Sequence, residues 1–334
     1  MDLIFSPNWT IEPLITSPGQ PGAGALRDQP DIEKLILTVY TITALVIGII
    51  GNTAVIIATL KYETFKLDKM TLIFVCNLAV ADLFYITTSV LPRAVYMVVG
   101  KWVLGKYYCF YNQMFYVLPV VAKMQFVLAI AVHRYVRCCH PILADKITAR
   151  QATIFCIFVW IYSTPSTITS IVYYLLSDLE KPLRYINFCV NYTTKKQSES
   201  AMFYIRFSVQ IVLPFISIIF FNMRLLKFSL SEAAKLGKHN LRAIRTIGLI
   251  SVVFILTWIP NHVVVCLMLL GQNIKGNHLA RIRISFFFVG SFCNPIIYTV
   301  VNKSFKDFIL NKFVVTAKRL YLGCKNAKND IFLG

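Results

Sequence analysis

Acidic side chains are scarce in this chain. Its 334 residues carry 15 Asp and Glu against 34 Lys and Arg, and charged residues make up only 15% of the total. Soluble domains hold about 25%, so an ordinary water-facing globule is set aside first. Catalytic signatures are missing too: there is no HExxH, and no paired catalytic acids and no Ser/His/Asp order fall on one side of the apolar runs. No enzyme activity, cofactor or bound metal is therefore expected. The nine cysteines are dispersed and form no CxxC, which excludes a disulfide-dense module. The first 30 residues lack an apolar core, so no cleavable signal peptide is expected. With Pro7, Pro13, Pro18, Pro21 and Pro30 they read as a disordered tail, taken to residue 34.

What is abundant is apolar sequence. Hydrophobic residues make up 57% and the mean hydropathy is +0.64. Seven apolar runs, at 35–60, 71–98, 107–138, 151–176, 200–228, 241–270 and 281–301, are each long enough to cross ~30 Å of hydrocarbon as a helix. The net charge of +19 lies between these runs rather than on one soluble face. That points to anionic lipid and a protein partner, not to nucleic acid.

The basic residues also set the orientation. Lys61, Lys66 and Lys69 follow span one, and Arg134, Arg137, Lys146 and Arg150 follow span three. Arg224, Lys227, Lys235, Lys238, Arg242 and Arg245 separate spans five and six, and the tail is basic again. The alternate loops are poorer, although Lys181 to Lys196 is mixed. The positive-inside rule then puts the N-terminus outside and the C-terminus inside. Two glycosylation sequons, at Asn8 and Asn191, fall on external segments; a third, at Asn302, falls inside and is expected to stay unmodified.

One landmark marks each span: Gly51-Asn52, Leu78-Ala79-Val80-Ala81-Asp82, Cys109 with His133-Arg134-Tyr135, Trp160, Pro214, Phe254 with Trp258-Ile259-Pro260, and Asn294-Pro295-Ile296-Ile297-Tyr298. In this order and at these spacings the chain resembles a rhodopsin-like (class A) G-protein-coupled receptor over about residues 35 to 310. The resemblance implies an all-α membrane protein of the plasma membrane. Its seven-transmembrane helix bundle (35–301) would be followed by an amphipathic helix and tail on the inner leaflet (302–334). It also implies that binding of an extracellular ligand is transmitted to a heterotrimeric G protein.

Physical spacing supplies its own reading of span three. Tyr116, Val120, Lys123 and Arg134 share one helical face, which must look inward because a lipid-facing cation costs several kcal/mol. Tyr116 and Arg134 are then ~27 Å apart along the axis, near opposite membrane surfaces. Cys109 and Cys189 both face an oxidising compartment, so a disulfide between them is expected, with two free thiols as the alternative. Cys324 follows a basic amphipathic stretch and is either palmitoylated or a plain thiol.

Three positions depart from the family pattern. Arg134 is expected to contact the G protein, but His133 stands where an acid normally precedes it. A neutral imidazole supplies no anion, and a protonated one repels the guanidinium. Either the inner lock is weak and basal signalling is raised, or Arg134 finds another acceptor. Asp82 is the acid that in many members helps to bind a sodium ion, yet the usual small hydroxyl opposite it is replaced by Lys123. An Asp82–Lys123 ion pair is expected there, with polar contacts from Ser291 and Asn294; a snorkelling or neutral lysine is the alternative. Asn222 stands where a switch tyrosine is common. The switch set is thus His133, Arg134, Tyr135, Asn294, Pro295 and Tyr298.

For the outer cavity the helical register selects Tyr116, Val120, Arg206, Gln210, Trp258, Asn261, His262 and Phe288, with Arg93, Arg281 and Arg283 nearer the mouth. Tyr116 replaces the aspartate of amine receptors and Phe288 the retinal-binding lysine of opsins, which disfavours both ligand classes. The donors suit an acidic small molecule, a lipid acid or a peptide. Pairing of these arginines with Glu180, Glu199 or headgroups explains them equally well. An alternative from another class is a seven-span ion or proton transporter or channel using Asp82, Lys123 and Arg134.

Overall fold

The computed structural model describes residues 31–61, 68–100, 102–115, 117–178, 205, 207–231, 252–253, 255–260, 262–263, 277–301 and 303–311. Every regular element among them is helical. The first span is Asp31–Leu60, and the second runs through Lys69–Tyr85, Ile86–Val90 and Leu91–Val99. The third comprises Gly105–Phe115 and Val117–Cys139, followed by a short helix, Pro141–Ala144. The fourth is Ala149–Asp178, the fifth Ser208–Val212 and Leu213–Ser231, and the seventh Asn277–Val301. Several helices outrun the apolar runs by about one turn. Asp31 and Glu33, for instance, carry no hydropathy signal but still continue the first helix.

Burial orders the bundle. The most apolar window of the third span is 78% buried, against 33% in the first and in the fifth. The third span is therefore the axis, and it packs against the second, fourth and fifth; the first packs against the second and seventh. Phe126 fills the seam to the fourth span and meets Trp160 edge-on at 5.7 Å. The indole of Trp160 donates to Asn77 Oδ1 at 3.1 Å, which ties the second span into the same seam. Ile154, Ile157 and Ile161 on the fourth span, and Leu213, Ile216 and Phe220 on the fifth, stay exposed. Such outward apolar faces suit a hydrocarbon solvent.

Prolines shape the helices, and the structure shows where their freed carbonyls go. Proline has no N–H, so the carbonyl four residues earlier loses its partner. For Pro295 that carbonyl is Ser291 O, which accepts from Asn52 Nδ2 at 2.8 Å. For Pro214 it is Gln210 O, which accepts from Gln125 Nε2 at 3.3 Å. Ahead of Pro214 the helix widens over Ser208–Val212, where the Leu213 N–H reaches back to Ser208 O. The second span does the same before Pro92, where Leu91 N–H bonds to Ile86 O. Each freed carbonyl of Pro295 and Pro214 is thus caught by an amide from another helix.

Close approach requires glycine at one of these crossings. A Cβ on Gly51 would lie 2.6 Å from Pro295 Cβ, a rigid ring atom that cannot swing aside. Gly51→Ala should therefore push the first and seventh helices apart and destabilise the bundle by about 1–3 kcal/mol. The expected outcome is a lower melting temperature of the purified protein in detergent. An unchanged melting temperature would show that the crossing can relax.

Candidate functional site

Midway along the bundle the second, third and seventh spans bring four polar side chains together. Lys123 Nζ lies 2.6 Å from Asp82 Oδ1 and donates to Ser291 Oγ at 2.8 Å. Asn294 Nδ2 donates to Asp82 Oδ2 at 2.9 Å. The ammonium also lies 5.5 Å from the centroid of the Tyr85 ring, within cation–π range. Asp82 is fully buried and Lys123 nearly so. Gly290 leaves them room: a Cβ there would come within 3.2 Å of Thr257 Oγ1 and 3.6 Å of Lys123 Nζ. A sodium ion does not fit this donor set. The ammonium already sits against one carboxylate oxygen, and Asn294 presents N–H rather than oxygen to the other.

Ser291 carries this cluster outward to the hinge. Its hydroxyl accepts from Lys123 while its carbonyl accepts from Asn52. Asn52 Nδ2 also donates to Gly48 O at 2.8 Å, within its own helix. The turn that leads into Pro295 is thereby tied both to the central charge pair and to the first span. Further in, Tyr298 is buried and meets Phe305 edge-on at 6.1 Å. Phe305 belongs to the helical segment 303–311, whose Lys303, Lys306 and Asp307 are exposed. Lys61 completes that corner, 5.9 Å from the Phe308 ring centroid.

Near the C-terminal end of the third span His133 and Arg134 are both buried. Arg134 Nη2 lies 3.6 Å from Asp68 Oδ2, and His133 Nε2 lies 3.6 Å from Asp68 Oδ1. Asp68 is the N-cap of the second span: its Oδ1 accepts from Thr71 N at 3.0 Å and its Oδ2 from the Thr71 hydroxyl at 2.8 Å. Thr71 Oγ1 also lies 3.3 Å from His133 Nδ1. Burial pushes the Asp68 carboxyl up, but Arg134, His133 and the Thr71 hydrogen bonds outweigh it and hold the group below the usual carboxylate range. Asp68 is thus an acidic neighbour of Arg134 at 3.6 Å, without a hydrogen bond between them. Sequence reasoning missed Asp68, although an Asp-x-x-Thr pattern at the start of an apolar run is a legible cap.

Other expected residues are placed as follows. The Tyr135 ring meets Phe221 at a tilt, 5.4 Å between centroids, and its hydroxyl lies 3.3 Å from His140 Nε2. Asn222 donates to Ile218 O at 2.7 Å, within its own helix. Of the residues expected to line the ligand cavity, Val120, Gln210, Trp258 and Phe288 are buried. Gln210 Nε2 donates to Tyr162 O at 3.2 Å. His262 stacks on Phe215 at 4.2 Å, and its Nδ1 lies 2.9 Å from Trp258 O. Since a carbonyl only accepts, Nδ1 carries a proton, and in the neutral ring Nε2 is an acceptor. Tyr116, Arg206, Asn261, Phe254, Cys189, Cys324, Asn8, Asn191 and Asn302 lie outside the described residues, as do the side chains of Cys109, Arg281 and Arg283.

A buried charge pair implies a double-mutant test. Removing one partner strands the other in a low-dielectric interior, at about 3–5 kcal/mol. Lys123→Met should therefore lower the melting temperature sharply. Lys123→Met combined with Asp82→Asn should recover most of the loss. Equal destabilisation in single and double variants would argue against a charge pair.

Comparison with known proteins agrees with this architecture. A sequence model of the family described as 7 transmembrane receptor (rhodopsin family) matches residues 51–298. The chain is 26% identical to the C-C chemokine receptor type 8 of Homo sapiens, over 87% of this chain and 82% of that protein. It is 26% identical to the parapinopsin of Ictalurus punctatus, over 86% and 85%. Against the galanin receptor type 1 of Rattus norvegicus the identity is 23%, over 82% and 81%. From the first-span glycine to the hinge tyrosine, this chain belongs to the rhodopsin family of seven-transmembrane receptors.

Proposed function

We propose that the chain is a plasma-membrane receptor, N-terminus outside, that passes binding of an extracellular ligand to a heterotrimeric G protein. The observation that carries the reading is Arg134. It is buried near the C-terminal end of the axial helix, within the family match. Ligand binding then acts by population shift: the ligand binds more tightly to the state in which the inner end is open. The G protein enters beside Arg134 and Tyr135, the basic stretch 229–240 and the segment after the seventh span. That segment lies on the inner leaflet through its apolar side chains.

Tyr116 and Phe288 argue against amine and retinal ligands, and the donors of the outer half favour a ligand with acidic or strongly accepting groups. Several of the relatives are named as chemokine receptors. Chemokines are therefore the first ligands to test, followed by acidic lipids and peptides. The Cys109–Cys189 disulfide and glycosylation at Asn8 and Asn191 belong to the same external face.

The test is nucleotide exchange on purified G proteins of each subtype, with the receptor in bilayer discs and a ligand panel. Stimulated exchange that disappears in Arg134→Ala, at unchanged surface expression, is the expected result. Ion current under voltage clamp with no exchange on any subtype would instead favour the transporter or channel reading.

A further inference from the structure

The acid that this chain lacks before Arg134 has moved to the neighbouring helix. Asp68 lies just ahead of the second span, and its side chain is a fifth exposed, whereas Arg134 and His133 are buried. Two hydrogen bonds from Thr71 fix its carboxylate and turn it toward the third span. The His133 ring is seated beside Phe74 at 6.0 Å, with one nitrogen toward Thr71 and the other toward Asp68. Arg137, the next basic residue, is occupied at the surface by Asp145 at 3.1 Å. The Asp68 carboxylate therefore faces two buried side chains of one helix turn.

The contact has a particular character. At 3.6 Å the Arg134 nitrogen is too far for a hydrogen bond, and Arg134 Nε and Nη2 make none among the described residues. The hold on Arg134 is thus Coulombic and depends on the charge of residue 68. The cap, in contrast, depends only on its oxygen geometry, which asparagine reproduces. Charge and cap can therefore be separated by a single isosteric change.

We propose that Asp68 is the positioning residue that holds Arg134 in the resting state. In this arrangement His133, at the usual position of the acid, is a second neighbour of the carboxylate rather than its substitute. Loss of the charge frees Arg134 to take the partner-facing arrangement and shifts the population toward the coupled state. The inference rests on the receptor reading given above.

Two measurements on the full-length receptor test it. In agonist-free nucleotide exchange, Asp68→Asn should raise the basal rate by about 5-fold or more. Asp68→Glu should stay near the parent. Adding His133→Asp to Asp68→Asn returns an acid next to Arg134 and should bring the rate back down. A helix-capping role alone would leave Asp68→Asn silent, and a basal rate equal to the parent at equal surface expression overturns the proposal. The second measurement does not need a G protein: a melting-temperature cycle of Asp68→Asn, Arg134→Gln and the double variant. Non-additive shifts support the pair, and additive shifts overturn the proposal whatever the coupling. A non-additive cycle in a chain that stimulates no G protein would overturn the coupling reading while leaving the ion pair standing.

Discussion

The contact between Lys123 and Asp82 is the constraint on which the rest of the bundle depends. Two opposite charges 2.6 Å apart in a nearly water-free interior are tolerable only when each is satisfied by the other and by polar neighbours. That requirement fixes the second, third and seventh spans relative to one another through Asp82, Lys123, Ser291 and Asn294. Through the Ser291 carbonyl it extends to Asn52 and so to the first span. A diffusible cation could arrive and depart at such a site; an ammonium on a lysine stem cannot. The centre of the bundle is covalently supplied with its own positive charge.

The same economy of backbone groups governs the hinge. Pro295 frees a carbonyl that water would normally satisfy, and in this chain an asparagine from another helix satisfies it instead. The close crossing of Gly51 and Pro295 makes that reach possible. Movement of the seventh span must therefore disturb the Asn52 bond, the Ser291–Lys123 bond, or both. Toward the C-terminal end of the third span the contacts loosen: Asp68 meets Arg134 and His133 at 3.6 Å, with no hydrogen bond between them. The bundle is thus hydrogen-bonded at its centre and held by charge alone at the C-terminal end of its third span.

Much of this was legible in the sequence. Long apolar runs gave the helices, and the register of the third span put Lys123 and Arg134 on one inward face. The nearness of Lys123 to Asp82 followed from the cost of a buried ammonium and from the lack of another acid within the spans. Two things were less accessible. The helix ends were misjudged by about a turn, because residues such as Asp31 and Asn277 continue a helix without adding hydropathy. Asp68 was passed over because it lies one residue outside the second span, and cross-helix pairing needs relative helix height, which a single span's periodicity does not encode. The Gln125 capture of the Gln210 carbonyl was hidden for the same reason.

A tethered ammonium stands beside Asp82, where the family resemblance implies a sodium site. The most direct measurement is the melting temperature of the purified, ligand-free receptor in sodium chloride and in choline chloride at equal ionic strength. Identical melting temperatures across the titration are the predicted result. A saturable stabilisation by sodium that choline does not reproduce would show that the Asp82 site binds the ion after all.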